Sequence, residues 1–142
     1  MTAMCIDQLP NTMPAKATPA GVTPIDAVEG PLLDSCLHEV SCALLRVAVL
    51  GREEDAADQV SSFIILELGK EEARRLIGGV AYAFKTEAAA KASPTMTEFS
   101  GVHGTPMHRY YNVLCIAYGA DHEYFRLSCR QRISAEGAGR GV

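Results

Sequence analysis

The spacing of apolar positions divides the chain into four helical segments. From Leu32, apolar residues fall at 33, 36, 37, 40, 44 and 47. That spacing predicts a helix with one wide apolar face. Pro31 suits its first turn, and Gly51 suits its stop. A second helix is predicted over about 52–68, with Val60, Phe63, Ile64 and Leu68 as its buried stripe and Gly69 at its end. Its first turn holds Glu53, Glu54 and Asp55, matching the positive end of the helix dipole. A third helix spans about 70–91 and is closed by Ser93-Pro94. Gly78 and Gly79 inside it each cost about 1 kcal/mol relative to alanine, or allow close packing. Positions 95–104 read as a loop with a short extended piece at "TEFSGV". Pro106 opens a fourth helix, "PMHRYYNVLCIAY", capped by Gly119. No alternating strand pattern is convincing, so the fold class is mainly α, with four helices and room for a small sheet.

The two ends differ from this centre. Residues 1–24 hold four of the seven prolines, with Thr, Ala and Gly between them, and read as a mobile arm. Residues 126–142, "RLSCRQRISAEGAGRGV", are polar and rich in arginine and glycine, and read as a disordered tail. The expected folded domain is therefore 25–125.

Bulk properties narrow the function classes. A chain of 142 residues suits one domain with one core. Its net charge of −4 favours neither nucleic acid nor an anionic membrane. No apolar run approaches the roughly 18 residues of a membrane span. The first residues lack a basic segment followed by an apolar one, so no secretory signal is read and the default compartment is cytoplasmic. Five cysteines without a C-x-x-C do not make a disulfide framework. Cys36 and Cys115 sit in apolar helical patterns and are expected to be buried.

Candidate chemistry concentrates in "DSCLHEVSC", residues 34–42. A helix bearing His-Glu-x-x-His is the usual zinc-peptidase signal; here His38-Glu39 is followed by Cys42 instead of a second histidine. Positions i and i+4 lie about 40° apart on a helix, so His38 and Cys42 share a face, with Asp34 one turn earlier. Glu39 lies about 100° round from His38, where a base beside a metal-bound water would sit. Glu54 opens the next helix, with Asp58 one turn on. A carboxylate from that helix would complete a three-ligand site open to water. Another would orient the imidazole through its second nitrogen. The plain alternative is a solvated helix face followed by an acidic helix start. His103 reads as a loop residue, and His108 and His122 as surface residues. Arg109 either pairs with helix acids, the commoner arrangement, or binds a substrate carboxylate.

Two longer blocks, "LHEVSCALLRVAVLGREEDAADQVSSFIILELGKEEARR" and "GVHGTPMHRYYNVLCIAYGAD", resemble a bacterial putative metallopeptidase family, catalogued as a domain of unknown function. That family's pattern is an His-Glu-x-x-His helix, a short linker and "GREEDAADQ", then a block with a histidine, an arginine and "YN-x-LC-x-x-YG". The resemblance covers roughly 32–122 and is most specific over 51–59. It implies a four-helix, zincin-like core. It implies His38 as first metal ligand, Glu39 as general base, Glu54 as third ligand and Asp58 as support for a histidine. Zinc is the implied cofactor, and a peptide or protein the implied substrate. The chain departs from the pattern at Cys42, in the proline-rich arm before the motif, and in the arginine-glycine tail, as a truncated or degenerate member would. Thiolate is a good zinc ligand, with bonds near 2.3 Å. However, cysteine is shorter than histidine and donates more charge, so weak zinc binding is expected.

Three functions compete at this stage. One is a zinc peptidase using His38, Glu54, Cys42 and Glu39. Another is a non-catalytic helical domain derived from such an enzyme that binds a protein partner. The third is a thiol role for Cys42 tuned by His38. Zinc content after purification separates the first two, and the Cys42 thiol pKa would reveal the third.

Overall fold

In the computed structural model, residues 14, 16–18, 21–44, 51–90, 93, 95–102 and 104–126 are described, with the side chains of Cys42, Leu44, Thr97 and Glu98 left aside. The elements are α1 (Asp26–Leu44), α2 (Glu53–Leu66), α3 (Lys70–Ala90), α4 (Met96–Ser100) and α5 (Pro106–Ala120). The fold is mainly helical, and no strand occurs among the described residues. Most of the expected arm (1–24) and nearly all of the tail (126–142) lie outside the described residues.

The first helix starts earlier than Pro31. Thr23 and Asp26 form a reciprocal cap: the Asp26 backbone N–H donates to Thr23 Oγ1 at 3.3 Å, and the Thr23 N–H donates to Asp26 Oδ2 at 2.9 Å. This is the capping-box arrangement, with Pro24 at the first helical position. The signal is "TPID", which the apolar periodicity passes over. Pro31 therefore lies inside α1, where its missing N–H leaves the Ala27 carbonyl without its usual helical donor.

Two other boundaries also differ from expectation. The stretch expected to be extended, "TEFSGV", instead begins in the single turn α4, where the Phe99 N–H donates to the Thr95 carbonyl. Gly119 lies within α5, whose C-cap is Asp121. By contrast, Gly69 does end the α2 segment, with φ +100, and only 67–69 separate α2 from α3. That φ is open to glycine and strained for other residues.

Four long helices pack around one core. Helix α1 lies against α2 and α3, and α5 lies against the same two. Ile65, Leu76, Ile77, Val80, Phe84, Val113, Leu114, Ala117 and Phe125 form the apolar centre, with Leu33 and Leu37 of α1 packed on its edge. The α1–α3 crossing is very close. A Cβ on Gly79 would fall 1.9 Å from the Asp26 carbonyl oxygen, and one on Gly30 would fall 2.5 Å from that of Leu76. Gly30 and Gly79 thus serve close packing, whereas a Cβ on Gly78 would meet only a Val22 methyl at 3.5 Å. Arg75 secures the crossing, donating to Asp26 Oδ1 at 2.8 Å and to Glu29 and Glu72.

The expected apolar stripe of α2 is on the wrong face, and that of α1 faces inward, among its described side chains, only at Leu33 and Leu37. Phe63 is 61% exposed, Leu68 51% and Val40 50%, and Cys36 is exposed as well. Cys115 is only half-buried. The inner face of α2 is Ala57, Asp58, Ser61, Ser62 and Ile65. That of α1 is Asp26, Ala27, Gly30, Asp34, His38 and Ser41. Asp34, His38, Asp58 and Ser61 meet there and hydrogen-bond to one another, and burial of a polar group is tolerated when it is hydrogen-bonded.

Candidate metal centre

The α1–α2 seam carries the chemistry. His38 Nδ1 donates to Asp58 Oδ1 at 2.9 Å, and His38 Nε2 meets Glu54 Oε2 at 2.5 Å. Glu54 and Asp58 are one turn apart on α2, so both reach the same imidazole from one face. His38 is 7% exposed and Asp58 3%. From α5, Arg109 grips Asp58 with two parallel bonds, Nε to Oδ2 at 2.7 Å and Nη2 to Oδ1 at 2.6 Å. Deeper in the seam, Ser61 Oγ reaches Asp34 Oδ1 at 2.5 Å and the Asp58 carbonyl at 3.0 Å.

The charges respond to this packing. The hydrogen bond to Asp58 raises the His38 pKa; burial opposes the rise, and the bond to Glu54 adds to it. For Asp58, burial disfavours the charge, but the bonds from His38 and Arg109 outweigh it and hold the carboxyl below its ordinary value. Asp34 goes the other way: burial lifts its pKa, against the bond from Ser61, and the nearby Asp58 charge lifts it further. Both ring nitrogens of His38 thus face carboxyl oxygens, an arrangement that favours its charged form, beside the buried Asp34 carboxyl, which resists ionisation.

These shifts fix a pH dependence. The His38 pKa is raised above 6.5 on folding, so its stabilisation is complete below 6.5 and is lost as pH climbs through the folded value. Asp34, raised above 3.8, costs more as pH rises from that point up to its own folded value. The depressed Asp58 acts at the other end: its stabilisation is present above 3.8 and fades as pH falls through its folded value. Urea midpoints are therefore expected to fall as pH rises above about 6.5, and His38→Gln should flatten that fall. Parallel curves for the two proteins would contradict the assignment to His38.

The candidate residues are distributed unequally. His38, Glu54 and Asp58 come together, joined by Arg109 in the acid-pairing arrangement. Glu39 is exposed one position along α1 and bonds to none of the three. Cys42 lies in α1, but its side chain, like His103 as a whole, is outside the described residues. His108 and His122 are exposed. Ser61 escaped the sequence reading, although its spacing from Asp58 places it on the same inner face.

Two donors of types that zinc takes, an imidazole nitrogen and a carboxylate oxygen, face each other, and the second imidazole nitrogen is anchored by another carboxylate. Two ligands on tetrahedral zinc stand roughly 3.3 Å apart, so the 2.5 Å contact need open by only about 0.8 Å. Among the described residues, no group of three His, Cys, Asp or Glu is arranged to hold a metal. A cavity of about 900 Å³ lies elsewhere, lined by Asp26, Arg75, Tyr82, Leu114 and Tyr124, and includes none of the His38 centre. None of the described helices is long and apolar enough to cross a membrane.

Compared with known families, the chain matches the one described as "Putative metallopeptidase" over residues 1–139. This match reaches beyond the motif-bearing stretch at 32–122. No curated protein and no solved structure matches the chain.

Proposed function

The chain belongs to the family described as "Putative metallopeptidase", and on that premise we propose that it is a zinc-dependent peptidase-type domain with a weakened metal site. His38 Nε2 and Glu54 are the ligands, Asp58 orients His38, and Glu39 is the general base. The observation that carries this reading is the double contact of His38, Glu54 on one ring nitrogen and Asp58 on the other. Bound zinc would acidify a water and polarise the scissile carbonyl.

The chain's own residues prepare that chemistry. Asp58 accepts the Nδ1 proton and so keeps Nε2 turned toward Glu54. The Nε2 proton facing Glu54 must leave before that nitrogen can act as a donor. Glu39, on the exposed side of α1, is open to water. Cys42 stands where a second imidazole would reach the ion. Its shorter side chain and greater charge donation are why zinc should bind weakly and peptides be cleaved slowly, if at all.

The same substitution favours a second reading, a helical domain derived from a peptidase that binds a protein partner. A competition titration of zinc against a chromogenic chelator near neutral pH separates them. The Cys42→His protein is expected to bind zinc at least about tenfold more tightly than the natural chain, about 1.4 kcal/mol. Equal tight binding by both would make Cys42 a working ligand. Equal weak binding by both would remove His38 and Glu54 from any metal site and leave the second reading.

A further inference from the structure

We infer that Arg109 is the positioning residue of the His38 centre: its guanidinium, seated on Phe84, fixes the Asp58 carboxylate and through it the His38 imidazole. The functional meaning of this inference rests on His38 being a metal ligand, but the positioning itself is a property of the metal-free chain.

The geometry goes beyond what an ion pair for stability requires. Arg109 takes both oxygens of Asp58, at 2.7 and 2.6 Å, and the Oδ1 it takes is the atom that also accepts from His38 Nδ1. Two parallel bonds from a planar fork fix the plane of a carboxylate, whereas a single contact leaves it free to turn. The fork is itself held. Its central carbon lies 4.3 Å from the centroid of the Phe84 ring, and Phe84 is 8% exposed. Such a cation–ring contact restrains the guanidinium in its plane. Asp58 comes from α2, Phe84 from α3, Arg109 from α5 and His38 from α1. All four long helices thus determine the direction in which Nε2 points. A lysine at 109 would keep the charge but could offer neither the fork nor the flat face.

A positioning role and a merely structural one differ in a double-mutant cycle. Zinc affinity would be measured for the natural chain, Arg109→Gln, Arg109→Lys, Asp58→Asn and Asp58→Asn/Arg109→Gln. Partners that orient a ligand are typically worth 10- to 100-fold in metal affinity. Arg109→Gln and Arg109→Lys are each expected to weaken zinc binding by about tenfold. In the Asp58→Asn background, Arg109→Gln should add less than about twofold, because the residue acts through Asp58. An equal loss in both backgrounds would mean that Arg109 acts through packing or charge alone, and would overturn the inference. A gain in affinity on losing the positive charge would also overturn it.

The second measurement needs no metal. In the ¹⁵N-labelled natural chain, the His38 Nδ1 proton is expected as a low-field resonance, identified by its absence in His38→Gln. It should broaden or disappear in Arg109→Gln and in Arg109→Lys while circular dichroism still reports the helices. An unchanged resonance in both variants would overturn the inference. If no form binds zinc, the ligand reading of His38 fails, and the resonance alone decides the role of Arg109.

Discussion

Replacing Gly79 by alanine is expected to cost about 2 kcal/mol of folding stability, while the same change at Gly78, one position before, should be neutral or stabilising. The Cβ at 79 would stand 1.9 Å from the Asp26 carbonyl oxygen and 2.7 Å from its carbon. Those are backbone atoms of the capped first turn of α1, so no side chain can swing away. The two helices would have to separate, loosening the Arg75 contacts to Asp26 and Glu29 as well. Overpacking of this kind costs about 1–3 kcal/mol, sometimes more. The gain from replacing a helical glycine, about 1 kcal/mol, offsets only part of it. At Gly78 the new Cβ meets only a Val22 methyl, at 3.5 Å, an ordinary contact, so the propensity gain should survive. Urea unfolding of both variants checks the pair. Equal midpoints for the two would mean that α1 and α3 do not cross as closely as described.

Asp58→Ala is expected to be the most damaging single change at the centre, at about 3–5 kcal/mol. It removes the acceptor of three hydrogen bonds, two from Arg109 and one from His38. The Arg109 side chain is 19% exposed and the His38 side chain 9%, so neither is readily rehydrated. A charge left buried without its partner costs more than the intact pair contributes. Domains of this size have only about 5–15 kcal/mol in total, so the variant should lose much of its stability. Asp58→Asn keeps the shape and one acceptor oxygen and should lose less. Glu71→Ala is the contrast: it also breaks an arginine pair, but the Glu71 side chain is 90% exposed, and little change is expected. Urea midpoints for the three variants should fall in that order, with Asp58→Ala lowest. If Asp58→Ala were as harmless as Glu71→Ala, the centre would contribute nothing to the fold.

The polar centre explains why apolar periodicity misplaces the inner faces of two helices. In α2 the pattern Val60, Phe63, Ile64 and Leu68 looks like a core stripe, yet Phe63 and Leu68 are more than half exposed. The opposite face is polar, and two of its groups have partners on other helices, Asp58 with His38 and Arg109 and Ser61 with Asp34, while the Ser62 hydroxyl is buried without one among the described residues. Periodicity counts each residue's own preference for water. It cannot register that two polar residues 20 or 27 positions apart will satisfy one another. Sites that carry chemistry are where such local rules are expected to fail.

What the sequence determined by itself is local. Helical spacing, the acidic start of α2, Pro106 and the glycine at 69 define where helices form, because capping, dipole and backbone preferences act within a turn or two. The i, i+4 spacing of Glu54 and Asp58 already puts both carboxylates on one face. The motif blocks also carried the family resemblance. Tertiary structure decided the rest. Packing of α1 on α2 brought His38 between the two carboxylates, and α5 brought Arg109 onto Asp58. Packing of α1 on α3 required glycine at 30 and 79, where backbone meets backbone. These depend on distances between segments far apart in the chain, which no local preference encodes. They are set by which arrangement leaves the buried polar groups paired and the core filled.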